Sequence, residues 1–186
     1  MQKKSLFLDT CKGSRGGRPP IWLMRQAGRY LPEYLKVREK YSINQVINNP
    51  ELAFEVTMQP IRRFGFDASI VFADLLTPLQ GLGFDFDFLE SIGPKLESPI
   101  RSVKDLDRLT PFVPENAVSG TLGAIKLLRS ELDQINTPLI GFAGAPFTIS
   151  SYLIEGKSNP KLDLTKKEIK AYRNIVEAIQ RELNGG

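Results

Sequence analysis

With 186 residues, 41% of them hydrophobic and 25% charged, the chain has the size and composition of one ordinary globular domain, and it shows neither an internal repeat nor a low-complexity tract. The formal net charge of +4 comes from 25 Lys and Arg against 21 Asp and Glu, with no basic block; it fits an acidic small-molecule substrate, a fit that many proteins share, and gives no nucleic-acid module. Cys11 stands alone and histidine is absent, so an intrachain disulfide is excluded, a reducing, cytoplasmic setting is the expectation, and no apolar run is long enough to suggest a membrane span.

The first apolar run, Ile21 to Met24, reads as a buried strand. Asn49-Pro50 is an N-cap followed by proline at the first helical position, leading into a helix from Glu51 to Arg63 that Pro60 should kink or end. Ala68 to Phe72 reads as a second strand. The Gly- and Phe-rich stretch from Gln80 to Pro99, with a turn at Gly93-Pro94, suggests an excursion outside the main sheet. Ser102 with Asp105 opens a short helix to Leu109, and a longer helix spans Asn116 to Leu132 with Val118, Leu122, Ile125, Leu128 and Leu132 on one face. Pro138 to Phe142 reads as a third strand. Thr165 and Glu168 form a capping box before Ile169, Tyr172, Val176, Ile179 and Leu183, with Gly185-Gly186 as the stop.

Strands alternating with helices mark parallel βα units, so the fold class is α/β, with one domain over 1–186 and a helical segment over 157–186. Three strands are too few to close a barrel.

Three stretches hold residues that can carry chemistry. Arg25 and Arg29 follow directly on the first apolar run with Gly28 between them; at the carboxyl end of a parallel strand their planar guanidinium groups would meet an anion, and a carboxylate fits that fork bidentately. Equally open is a plain ion pair with a neighbour such as Glu33. Asp74 ends the run Ile70-Val71-Phe72-Ala73 among apolar residues, either as a buried catalytic carboxylate or as the cap of the next turn. Small residues in Gly141-Phe142-Ala143-Gly144-Ala145-Pro146 would let a flat ligand approach the backbone, and Tyr152, one helical turn beyond Thr148, either points its hydroxyl into the cleft or belongs to the core. Gly156-Lys157-Ser158 lacks the earlier glycine of a phosphate-binding loop, since Ser151 stands there.

Met24-Arg25-Gln26-Ala27-Gly28-Arg29-Tyr30-Leu31-Pro32-Glu33 resembles the N-terminal signature of the uroporphyrinogen decarboxylase family, and Gly141 to Thr148 resembles its second signature, with the strand end Phe72-Ala73-Asp74 between them. The resemblance covers roughly Phe7 to Gly156. It implies the N-terminal part of a (β/α)8 TIM-type barrel, incomplete in this chain, and a homodimeric cytoplasmic lyase of haem biosynthesis without metal or cofactor. The implied reaction converts the four acetate side chains of uroporphyrinogen III to methyl groups, giving coproporphyrinogen III. It implies Asp74 as the central catalytic residue with Arg25 and Tyr152, and substrate binding by Arg25, Gln26, Ala27, Gly28, Arg29, Asp74, Phe142 and Tyr152. Small groups from Phe142 to Ala145 would line the cleft, and Tyr152 would hydrogen-bond at the aspartate site.

The family's later strands bring a serine and a histidine, whereas this chain has no histidine, so the chain alone is expected to be inactive and to expose an open sheet edge. The alternatives are a non-catalytic fragment and a related cobalamin-dependent methyltransferase-type barrel, which binds zinc through histidine and cysteine.

Overall fold

The computed structural model describes residues 5–14, 17–89 and 93–167, with the single positions 173, 177 and 181. In chain order the elements are α1 (Leu6–Cys11), α2 (Pro32–Arg38), α3 (Ile43–Asn48), α4 (Pro50–Phe64), β1 (Ser69–Ile70), α5 (Thr77–Gly81), β2 (Phe86–Leu89) and β3 (Gly93–Leu96). There follow a 3₁₀ helix (Val103–Arg108), α6 (Pro114–Ala117), α7 (Ser119–Leu132), β4 (Leu139–Ile140), α8 (Pro146–Glu155) and α9 (Asp163–Lys167). The described residues gather into two compact units, of Met1–Ala73 with Ser119–Phe142 and of Asp74–Val118 with Ala143–Gly186.

In the first unit α4 has both its ends written in the sequence. Asn49 accepts a 2.9 Å hydrogen bond from the Leu52 N–H, Glu51 lies in the first turn, Arg62 and Arg63 in the last, and Gly65 at φ 63° closes the helix. Of the two expectations for Pro60, the ending is not seen: the helix runs on to Phe64. A proline removes only its own i→i−4 bond, and Met58 and Ile61 on either side are buried with Val71, Leu128 and Leu132, which holds the helix together across the defect. The expected helix from Asn116 to Leu132 is in two pieces, because Val118 leaves helical geometry at φ −127°, ψ 30°. The buried face of α7 is Gly120, Ala124, Leu128 and Leu132, while Leu122 is turned outward. Small residues decide that face: a Cβ on Gly120 would lie 2.6 Å from the Asn48 backbone, so α7 approaches α3 and α4 more closely than a larger residue would allow.

The second and third expected strands are present as a short parallel pair, Ser69↔Leu139 and Ile70↔Ile140. The ladder ends where the Phe72 N–H donates instead to Thr57 Oγ1, at 2.9 Å, while that hydroxyl donates to the Ala53 carbonyl. The first expected strand, Ile21 to Met24, is not one. Pro19 and Pro20 carry no N–H to begin a ladder; one backbone bond, from the Asp67 N–H to the Ile21 carbonyl, joins the segment to the chain before β1. The Ile21 N–H goes to the Asp67 carboxylate, which Arg18 grips at 2.6 and 2.8 Å. Ile21, Leu23 and Met24 are exposed rather than buried.

The second unit contains the expected excursion, although Gly93-Pro94, expected as a turn, instead begins β3: β2 and β3 form an antiparallel pair of their own, from Phe86↔Leu96 to Leu89↔Gly93. Their inward residues join Leu76, Leu79, Leu82, Phe84, Ile100, Ile149, Leu153 and Ile154 in one apolar core. Asp105 accepts from the N–H groups of Arg101 and Ser102 and so starts the 3₁₀ helix. At the end of α8, Gly156 at φ 81° is the left-handed cap, which accounts for the glycine of Gly156-Lys157-Ser158. Thr165 is not a helix cap as expected; it lies inside α9, buried, and both its N–H and its hydroxyl donate to Glu155 Oε1, at 2.8 and 2.9 Å. Glu168, the face from Ile169 to Leu183, and Gly185-Gly186 lie outside the described residues.

Candidate active site

In the first unit, the loop from Leu23 to Tyr30 is pinned at two points. The Gln26 side chain is 1% exposed; its Oε1 accepts from the Leu23 N–H at 2.9 Å and its Nε2 donates to the Ala68 carbonyl at 3.0 Å. Gly28, at φ 77°, sits under two rings, and a Cβ there would lie 2.9 Å from Phe72 Cε2 and 3.5 Å from Tyr34. Ala27 packs on the cluster of Leu31, Tyr34, Val46 and Val56. The three middle residues of the motif thus face into the unit, and the two arginines face out: Arg25 and Arg29 are both exposed. Arg29 holds φ 66°, in the left-handed region that side chains rarely occupy. Burial pushes the Tyr34 phenol up, and the nearby charges of Arg38 and Arg29 pull it back.

The ion pair with Glu33 is absent: Glu33 is taken by Arg63 at 2.6 Å. Among the described residues neither Arg25 nor Arg29 is in an ion pair. Two unpaired guanidinium groups four residues apart, beside exposed Leu23, Met24 and Tyr30, suit an anion with an apolar body. Phe142, beyond β4, is 41% exposed.

Asp74 opens the second unit and is half-buried. Of the two readings of this residue, the turn is seen directly. Its Oδ1 accepts a 2.8 Å bond from the Leu76 N–H, and its own carbonyl accepts from the Thr77 hydroxyl, so it does shape the turn into α5. Its Oδ2 has no hydrogen-bond partner among the described residues. Burial pushes the carboxyl above the ordinary aspartate range, and the single N–H from Leu76 only partly offsets it.

Tyr152 is half-buried on α8, with its ring against the core that contains Leu76. It makes no hydrogen bond to Asp74 among the described residues, so the expected bond at the aspartate site is not formed here. Thr148 and Tyr152 line a cavity of about 210 Å³, with Ser151, Glu155, Lys157 and Asn159. Gly144 lets the start of α8 close on the aspartate turn: a Cβ there would overlap Ile149 and lie 3.2 Å from the Leu75 carbonyl. Ala143 and Ala145 are exposed beside it.

The family model described as uroporphyrinogen decarboxylase (URO-D) matches residues 2–183. The chain belongs to this family. Among curated relatives, the uroporphyrinogen decarboxylase of Chloroflexus aurantiacus is 45% identical over 179 residues, which cover 94% of this chain and 50% of that one. That of Carboxydothermus hydrogenoformans is 50% identical over 150 residues, covering 81% and 43%. That of Thermus thermophilus is 48% identical over 151 residues, with the same shares of 81% and 43%. The chain spans about half the length of the curated relatives it matches. A solved methyltransferase from Methanosarcina mazei superposes with a TM-score of 0.66 over 97% of this chain and 53% of its own, at 17% identity, a likeness of fold alone. The fold is accordingly the α/β fold expected, as a partial barrel. Glu155 escaped the sequence reading: a glutamate before glycine at a helix end looks like an exposed cap, and only the fold brings Thr165 and Asn159 onto it.

Proposed function

We propose that the protein decarboxylates the acetate side chains of uroporphyrinogen III to methyl groups, giving coproporphyrinogen III, with Asp74 as the catalytic carboxylate and Tyr152 lining its surroundings. Loss of carbon dioxide breaks the bond between the acetate methylene and its carboxylate and leaves an electron pair on carbon. A protonated pyrrole ring accepts that pair, a proton delivered to the methylene completes the methyl group, and loss of the proton first added to the ring restores the pyrrole. What the protein adds is a fixed negative charge near the pyrrole N–H groups and a grip on the remaining carboxylates.

The observation that carries this reading is the Asp74 carboxylate, half-buried, with one oxygen fixed by the Leu76 N–H and the other unpartnered among the described residues. A desolvated anion gains more from a nearby cation than a solvated one, and an approaching pyrrole cation in turn draws the raised carboxyl back toward its charged form. Arg25 and Arg29, exposed and outside any ion pair among the described residues, serve as the carboxylate clamps. Arginine holds its proton too firmly to be the plain acid of the reaction, so its part is positioning rather than proton delivery. Phe142 and the small residues to Ala145 serve as the face for the flat macrocycle. The same reading makes the protein a cytoplasmic homodimer with a small-molecule tetrapyrrole as its ligand, and neither nucleic acid nor membrane as a partner. Among the described residues no helix is long and apolar enough to cross a membrane.

The test is an anaerobic assay of the full-length protein with uroporphyrinogen III. Stepwise loss of acetates ending in coproporphyrinogen supports the proposal; a folded full-length protein that forms no product refutes it.

A further inference from the structure

We propose that Gln26 is a positioning residue that holds Arg25 and Arg29 in place by tying their loop to the chain before β1; the inference rests on the reading of both arginines as carboxylate clamps. The segment Ile21 to Met24 runs beside that chain without forming a ladder, so two groups that a strand would have satisfied need other partners. The Gln26 amide takes both: the Leu23 N–H at its oxygen and the Ala68 carbonyl at its nitrogen. At 1% exposure, with its oxygen and its nitrogen each engaged by the backbone, the side chain is closed to a ligand. The second pin is Gly28 under Phe72 and Tyr34. Arg25 is covalently next to the first pin and Arg29 to the second, so the direction in which each guanidinium leaves the loop is set there.

The position requires a donor and an acceptor in one side chain. Glutamate has the same shape, but its ionised form would set a second acceptor against the Ala68 carbonyl; protonation restores the donor. Gln26→Glu should therefore install a pH dependence in substrate binding that the wild type does not have. Gln26→Met keeps the length and removes both bonds without adding a charge.

The measurement is KM and kcat of the full-length enzyme for uroporphyrinogen between about pH 6 and pH 8, for the wild type, Q26E, Q26M and R29A. The expected result is a KM raised on the order of ten-fold in Q26E at the alkaline end, with kcat changed by less than about three-fold. The KM gap to wild type should narrow toward acid for Q26E but stay constant for Q26M. Unchanged KM in both glutamine variants, or a fall in kcat at constant KM, overturns the inference. So does a failure of both to fold, which would make Gln26 a merely structural residue. R29A separates the two levels of the argument. If R29A raises KM and the glutamine variants do not, the inference alone falls; if R29A leaves KM unchanged, the clamp reading falls and takes the inference with it.

Discussion

Gly28→Ala perturbs the loop at its second pin, and the structure supplies the parts of its cost. Gly28 is at φ 77°, where any other residue is strained by roughly 1–2 kcal/mol. The added methyl would also stand 2.9 Å from Phe72 Cε2 and 3.5 Å from Tyr34, and both rings are packed, with centroids 5.9 Å apart. Forcing a methyl into such a contact costs about 1–3 kcal/mol. Alanine's smaller freedom in the unfolded chain returns about 0.5–1 kcal/mol, which leaves a loss of about 1–4.5 kcal/mol. Gly65 is the internal control: its φ is 63° but nothing lies within 4 Å of its Cβ position, so Gly65→Ala carries the backbone strain without the clash. Urea unfolding of both variants, followed by circular dichroism and by Trp22, the single tryptophan, gives the difference directly. Gly28→Ala should be the less stable by about 1–3 kcal/mol. Equal losses in the two variants would refute the seat that Phe72 and Tyr34 are argued to form.

Arg29→Gly removes the strain of a left-handed arginine while raising unfolded-chain entropy, two effects of about 1 kcal/mol that oppose each other; the unfolding midpoint should barely move while KM for uroporphyrinogen rises. Thr57→Val leaves the Phe72 N–H without its 2.9 Å acceptor and should cost about 1–3 kcal/mol in chemical denaturation, far more than an exposed Thr→Val change. Burial pushes the Glu155 carboxyl up, but the bonds from Thr165 and Asn159 outweigh it, so its value in the folded chain is lowered. Its stabilisation is therefore present above the unfolded carboxylate range and is lost as pH falls through the lowered value. Glu155→Ala should accordingly be destabilised at neutral pH, with the gap to wild type closing in acid.

Elements whose signals are local were legible from the sequence. Asn49, Pro50 and the run into Arg63 specify α4 by capping and charge within one stretch, whereas Gly93-Pro94 pointed to the right region but pairs as the start of β3 instead of forming the turn. Ile21 to Met24 failed because apolar composition does not create ladder partners: Pro19 and Pro20 lack N–H groups, and Asp67 and Gln26 captured the rest with side chains. The break at Val118 and the rotated face of α7 depend on how closely Gly120 meets Asn48, a tertiary contact with no periodic signature. The site divides in the same way. The turn at Asp74 follows from residue type and position beyond an apolar run, whereas Arg25 and Arg29 were expected at the end of a strand that does not form, and the Arg63–Glu33 pair that leaves them outside any ion pair among the described residues joins residues far apart in sequence.

The central claim is that the Asp74 charge, and not its shape or its role in the turn, drives the reaction, and Asp74→Asn tests it most directly. Asparagine keeps the size and can still accept from the Leu76 N–H. Because burial raises the Asp74 carboxyl in the folded chain, its contribution to stability is present below the unfolded value and is lost as pH rises through the folded one. At neutral pH the variant should thus be at least as stable as the wild type. Turnover of uroporphyrinogen by the full-length Asp74→Asn enzyme should nevertheless fall by about two orders of magnitude or more. A folded variant that decarboxylates at a near-normal rate would contradict the account.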